Sequence, residues 1–284
     1  MATRLSVRDE VRSVINQWPD VVALAEDLDT VETVVDVADA TLAPGGSIIE
    51  IDSELMRVRS IDTVPTPDTL IVRRGDRGTT AATHSNGASI RIYGPHDPTD
   101  TQLNRWIRDG IDWLYPTLVR DIWDTTDETE LNVLNYPVPA AIHLLEEVLL
   151  RDDSDPARDH PIRKWTLIDE DVWFPAALPE GRMLTFHGRG KFTQPTTDTG
   201  MGGTLDVPNE VLAALHLYVV AQVVKQQEIM RSRFVDMSAL LESRAGNIPD
   251  LIGSSRDLLR QAAALRDAQA SPRPWRLRAI TRRP

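Results

Sequence analysis

Residues 73–94 read RRGDRGTTAATHSNGASIRIYG, and four glycines, a threonine pair and a histidine in so short a stretch could serve several chemistries. A phosphate cradle needs GxxxxGK[ST] running into a helix whose first amides face the anion. Neither this stretch nor GRGKF at 188–192 has that form. A zinc site needs His or Cys at ligand spacing, and the six histidines, His84, His96, His143, His160, His187 and His216, form no HExxH or HxH pair. With no cysteine, thiol nucleophiles, disulfides and Cys-ligated metals are all excluded. Among the carboxylates, Asp152 with Asp153 and Asp169-Glu170-Asp171 are sequence neighbours. Their side chains diverge on an extended backbone, so they read as solvated turns rather than an acid–base pair or a calcium loop. No GxSxG elbow is present. The expectation is a protein that is not an enzyme and carries no catalytic, cofactor or metal site. A hydrolase using His84 or His187 with a nearby carboxylate is the enzymatic alternative.

Arg74, Gly75 and Asp76 also spell the RGD adhesion tripeptide. Three residues recur by chance, and a turn explains them better. LIVRRG ends a strand; Gly75 and Gly78 permit positive φ; Thr79 and Thr80 bond nearby backbone; His84 lies in the loop, and Asn86-Gly87 signals a turn before ASIRIY. Upstream, PGGSIIEIDSELMRVRSI reads as a hairpin with Asp52 to Glu54 at its tip. Gly75, Gly78, Thr79, His84 and Gly87 are therefore expected to close a β-module.

The elements around that loop follow from periodicity. Leu5, Val11, Val14, Ile15 and Trp18 predict a helix over 4–18 that stops before Pro19. From Val31 the period falls to two, and VETVVDV, SIIEIDSE, LMRVRSI, TLIVRR and ASIRIYG predict five strands in a small barrel or sandwich over 31–94. Thr99 or Asp100 caps a second helix with a stripe of Leu103, Trp106, Ile107, Ile111, Trp113 and Leu114, kinked or ended at Pro116 within a helical segment 95–130. Residues 131–206 read as a second β-unit with loops. In it AAIHLLEEVLLR fits helix or strand, GRGKF reads as a β-turn, and QPTTDTGMGGT at 194–204 as a mobile loop. Pro208 and Glu210 open a central helix, and helices continue to 270 with a break at Gly246 to Pro249. The predicted fold class is α+β: a helical bundle, beginning with residues 1–30, that carries the two β-units as attachments.

The 284 residues sum to a charge of −12, yet 271–284, SPRPWRLRAITRRP, holds five arginines and no acid, leaving −17 on the remainder. An acidic body disfavours broad binding to DNA phosphates, whereas a basic arm suits an acidic partner surface. No apolar window approaches membrane-spanning length and no signal-like h-region opens the chain. A soluble protein of cytosolic origin is expected, with no membrane partner.

The pattern Ile51, Asp52, Glu54, then Arg74, Gly75, Gly78, Thr79, Ala81, His84, Gly87 and Ala88 resembles a small β-module recurrent in tailed-phage virion proteins. The helix before it, the Trp-rich helix ending LYPTLV, the YPVP unit and the helix PNEVLAALHLYVVAQVVKQQ together resemble head-to-tail adaptor (connector) proteins. That resemblance implies a homo-oligomeric ring, a dodecamer, in the virion neck, assembled in the host bacterial cytoplasm. It implies three partners: the portal protein, a downstream neck or tail-completion protein, and genomic DNA sliding through without sequence-specific binding. It makes the tail a portal-docking arm: Pro272 and Pro274 keep it extended, Trp275 and Leu277 anchor it, and Arg273, Arg276 and Arg278 pair with acids on the portal. A tail or baseplate protein with the same β-module and a virion-associated hydrolase are the alternatives.

Overall fold

Thr3 starts the first helix, α1 (Arg4–Ile15), through a reciprocal capping box with Ser6, and Asn16 ends it in the left-handed region at φ 51°. The computed structural model describes residues 2–64, 66–151, 159–198, 200–242, 251–270 and 278–279. After α1 the alternation of β-branched residues produces β1 (Asp20–Ala23), β2 (Val34–Val37), β3 (Ile48–Ile51), β4 (Glu54–Asp62), β5 (Asp68–Arg73) and β6 (Ser89–Tyr93). All pairs are antiparallel in the order β1-β6-β3-β4-β5-β2, and a Leu24–Val37 bridge brings the two edge strands together. Leu70 and Val72 of β5 face inward while Ile71 and Arg73 face out, the two-residue period expected of a half-buried strand. Inside, Val35, Ile49, Ile51, Met56, Val58 and Ile90 form one core with Leu24 and Leu28. A bulge between Val58 and Ser60 adds the local twist that a curled sheet needs.

Thr99 caps α2 (Asp100–Leu114) in a second capping box, with Gln102. Pro116 follows, and a proline offers no amide to continue a helix. The chain then runs through β7 (Arg120–Glu128), β8 (Asn135–Pro137), β9 (Leu144–Arg151), β10 (Asp159–Pro161), β11 (Thr166–Ile168), β12 (Asp171–Trp173) and β13 (Met183–Gly190). Helices α3 (Asn209–Glu242) and α4 (Leu251–Ala268) and the two-residue β14 (Arg278–Ala279) complete it. One sheet has the order β10-β9-β13-β7, with β14 also on β9; a three-stranded sheet is β11-β12-β8. Leu145, Val148, Phe186, Leu184 and Val172 make their common core. Val7, Val11, Leu103, Ile107, Leu215 and Val219 make a third core among the helices.

The helical bundle with attached β-units is overturned. Among the described residues, fourteen strands in three sheets dominate, and the four helices form a minor layer. The physical reason lies in strands whose partners are remote. AAIHLLEEVLLR, locally compatible with either state, supplies β9 because β13 and β10 hydrogen-bond to it. Residues 120–128, expected within a helical segment, are β7 because β13 pairs along their length. GRGKF is no β-turn either, since Gly188 and Gly190 end β13. A Cβ on Gly188 would sit 2.5 Å from the Leu144 carbonyl oxygen, so glycine lets β9 approach. The 194–204 loop is pinned as well: Asp198 pairs with Arg4 at 2.7 Å and Arg8 at 3.0 Å, and the Leu205 amide donates to the Ala2 carbonyl.

One joint fastens the curled sheet to the helices. Glu50 of β3 is buried with its carboxylate against the start of α2, accepting from the Asp100 and Thr101 amides at 3.1 Å each, the Thr101 hydroxyl, and the Tyr93 hydroxyl at 2.9 Å. A carboxylate there satisfies orphan helix amides and meets the positive end of the helix dipole. Burial pushes the Glu50 carboxyl above its ordinary value, and the hydroxyl and amide donors oppose it. Asp100 in turn accepts from Arg12 at 2.5 Å and lies 3.5 Å from Arg8 and 3.4 Å from Arg91. Glu50→Ala, which strands several buried donors, should cost about 3 kcal/mol in urea unfolding, and Glu50→Gln, which keeps one acceptor, clearly less. Equal losses for the two variants would contradict this role.

Candidate functional site

The β3–β4 hairpin turns through Asp52 and Ser53, with Asp52 at φ 53° and Glu54 opening β4 opposite Ile51. Arg74 follows the end of β5, and His84 lies in the loop before β6, held by a backbone bridge to Leu28. These elements bring together four of the residues that the sequence singles out. The His84 ring places Nδ1 2.9 Å from Asp52 Oδ2 and Nε2 3.0 Å from Glu54 Oε2. Arg74 closes a two-pronged fork on Glu54, 2.7 Å on each side, and also donates to the carbonyls of Asp29, Glu32 and Ala82. The amides of Gly75 and Ala82 donate to Glu54 as well.

An aspartate, a histidine, a glutamate and an arginine in line have the composition of a proton relay. Their accessibility argues otherwise. The side chains of His84 and Glu54 are each 1 % exposed, and both ring nitrogens and both Glu54 oxygens are already engaged. Asp52, 74 % exposed, is the one member that faces water. No lone pair of His84 or Glu54 is left to take a proton from a substrate. What the cluster does is tie three loops, around Asp29–Glu32, Asp52–Glu54 and Arg74–His84, into one corner of the curled sheet.

A second knot adjoins it. Asp76 is buried and pairs with Arg57 at 3.0 Å and with Arg73. Burial would raise its carboxyl, but the two guanidiniums hold it below its ordinary value. Thr79 accepts from the Leu55 amide and donates to the Asp76 carbonyl. Gly75, Gly78 and Gly87 all adopt positive φ, and a Cβ on Gly75 would lie 2.8 Å from the Thr79 carbonyl oxygen. With Arg74 7 % and Asp76 2 % exposed, the RGD tripeptide is engaged internally rather than presented.

The other histidines are dispersed. His187 stacks on Trp123 with centroids 3.8 Å apart and stands 3.9 Å from Glu146; His143 tilts against Tyr115; His216 lies 3.2 Å from Glu10. Burial lowers the His216 imidazole, with Glu10 opposing. Among the described residues no group of three or more His, Asp or Glu is placed to hold a metal ion. Asp169 forms the β11–β12 turn at φ 53°, and Asp171 accepts from the Asn135 amide side chain. Of the tail, Arg273, Pro274, Trp275, Arg276 and Leu277 lie outside the described residues, while Arg278 opens β14 opposite Leu145.

Sequence reasoning missed Glu50, the Asp198–Arg4–Arg8 knot and a cavity of about 410 Å³ lined by Lys164, Trp165, Ile168, Trp173 and Phe174. A signal existed for Glu50 alone: an acid inside the otherwise apolar run SIIEI. Neither a known protein family nor any curated protein matches the chain.

The ligation of Glu54 has a pH signature. Burial would raise its carboxyl, but the Arg74 fork, the Ala82 amide and His84 outweigh it and hold it at about 2. Against an unfolded value of about 4.3, this contributes up to about 3 kcal/mol, complete above pH ~4.3 and lost as pH falls through about 2. Glu54→Gln should therefore be destabilised at neutral pH, with the gap to the parent closing by about pH 2. Urea titrations across that range check it, and a gap independent of pH would overturn it.

Proposed function

We propose that this chain is a non-enzymatic structural protein of a tailed-phage virion, a head-to-tail adaptor that rings the DNA channel beneath the portal. The observation that carries the reading is the fate of the recurrent motif: Asp52, Glu54, Arg74, Gly75, Thr79 and His84 bond to one another and to the loops they join. A motif employed in holding its own module together explains recurrence across structural proteins without a shared reaction. The hydrolase alternative has lost its best base, because His84 is walled off by its two carboxylate partners.

The charge distribution supports the ring. A body of −17 facing a channel repels the phosphates of a passing genome and lets it slide, while the basic C-terminal arm makes the connections. No described helix is long and apolar enough to cross a membrane. The partners in this reading are further copies of the chain, the portal and a tail-side neck protein.

Electron microscopy of intact particles tests it. A dodecameric ring of this protein against the portal is expected, whereas threefold or sixfold symmetry at the tail tip would move the chain to the baseplate. Deleting residues 271–284 should leave a folded protein, with an unchanged urea midpoint for the body, that no longer joins filled heads to tails. Truncated protein that still joins them removes the arm from the mechanism.

A further inference from the structure

The three-stranded sheet β11-β12-β8 has one face in the core and one outside. Leu167, Val172 and Tyr136 lie side by side across it and belong to the core that also holds Phe186. The two-residue period of a strand therefore puts Thr166, Ile168 and Trp173 on the other face, with Thr166 opposite Trp173. Trp165 and Phe174, both packed in that core, line the same cavity of about 410 Å³ as Lys164, Ile168 and Trp173. Trp173 is 40 % exposed and Ile168 50 %, and Trp173 stacks on no other ring among the described residues. An indole at a cavity wall without a ring partner of its own is a platform for a flat one.

The polar side chains of the cavity are few and their charge has one sign. Lys164 is the charged residue of the lining, exposed and without an ion-pair partner among the described residues. Thr166 supplies a hydroxyl. Asp171 stands opposite Ile168, at the far end of β11 from Lys164, where the Asn135 side chain engages it at 3.0 Å. A cation at one end and a carboxylate beyond the other orient an anion with its charge toward Lys164. A sugar would leave most of its hydroxyls unmatched by one ammonium and one hydroxyl, and a cation would find the aromatic rings but meet Lys164 beside them. We infer that this cavity is a binding site for an aromatic anion of one or two fused rings, its ring against Trp173 and Ile168 and its acidic group at Lys164. The volume lies toward the lower end of the roughly 300–1,000 Å³ that small-molecule clefts span. The site needs no second copy of the chain and stands apart from the adaptor reading.

Naphthalene-2-carboxylate is the probe, with naphthalene-2-methanol and 2-naphthylmethylammonium as the neutral and cationic forms of the same ring. Each is titrated into the full chain at low salt and followed by the indole N–H resonances, those of Trp165 and Trp173 being assigned by their loss in single Trp→Phe variants. The carboxylate should shift these two indoles and bind about threefold more tightly than the alcohol, with the ammonium weakest. Lys164→Gln should abolish that advantage and leave the affinity for the alcohol unchanged, while Lys164→Arg keeps it. Trp173→Ala should weaken the carboxylate about tenfold. Both side chains are exposed, so each variant should keep the urea midpoint of the parent. No saturable binding of the carboxylate, an affinity for it that ignores Lys164, or tighter binding of the ammonium or of methyl β-glucoside overturns the assignment.

Discussion

A single carboxylate at the start of a helix decides how the parts of this protein sit together. Glu50 belongs to the curled sheet by its backbone and to α2 by its side chain, where it takes the place that solvent would otherwise occupy at the first amides. Asp100, one of those amide donors, turns its own carboxylate toward Arg8, Arg12 and Arg91. Two acids and three guanidiniums thus connect β3, β6, α1 and α2 within one desolvated region. Each buried charge there has an opposite or a polar donor in contact, which is the condition under which such a joint is tolerable. An apolar joint would hold the units together but would leave their mutual rotation less determined.

The same device recurs at Glu54 and Asp76. Each is an acid with a nearly inaccessible side chain: Glu54 takes the Arg74 guanidinium and the Gly75 and Ala82 amides from the surrounding loops, and Asp76 takes the guanidiniums of Arg57 on β4 and Arg73 at the end of β5. Loops close their backbone hydrogen bonds poorly, so a central acceptor with several lone pairs organises them more effectively than hydrophobic contact could. The cost of burying the charge is offset only when every partner is present.

Legibility followed the range of the interactions. Strands of the curled sheet were readable because their alternation and their turn residues are local: β3 through β6 fall on IIEI, ELMRVRSID, DTLIVR and SIRIY. Thr99 was readable as a cap because capping chemistry spans three residues. The β9–β13–β7 sheet was not, since RDIWDTTDE and LLEEVLLR acquire their state from partners roughly 35 to 70 residues away. The turn role of His84 could be read from its neighbours, but its two carboxylate partners lie thirty residues upstream, and nothing local pairs them. Glu50 shows the limit most plainly, for a lone acid in an apolar strand announces an unusual environment without naming the helix that creates it.

A cluster of Asp, His, Glu and Arg is usually read as machinery, and geometry separates machinery from mortar by a simple test of valence. A catalytic base keeps one lone pair or proton directed into space that a substrate can enter. Here His84 has a carboxylate on each nitrogen and almost no exposed surface, so every direction in which it could act is closed. Groups so enclosed hold one corner of the curled sheet together, joining loops that are distant in the chain.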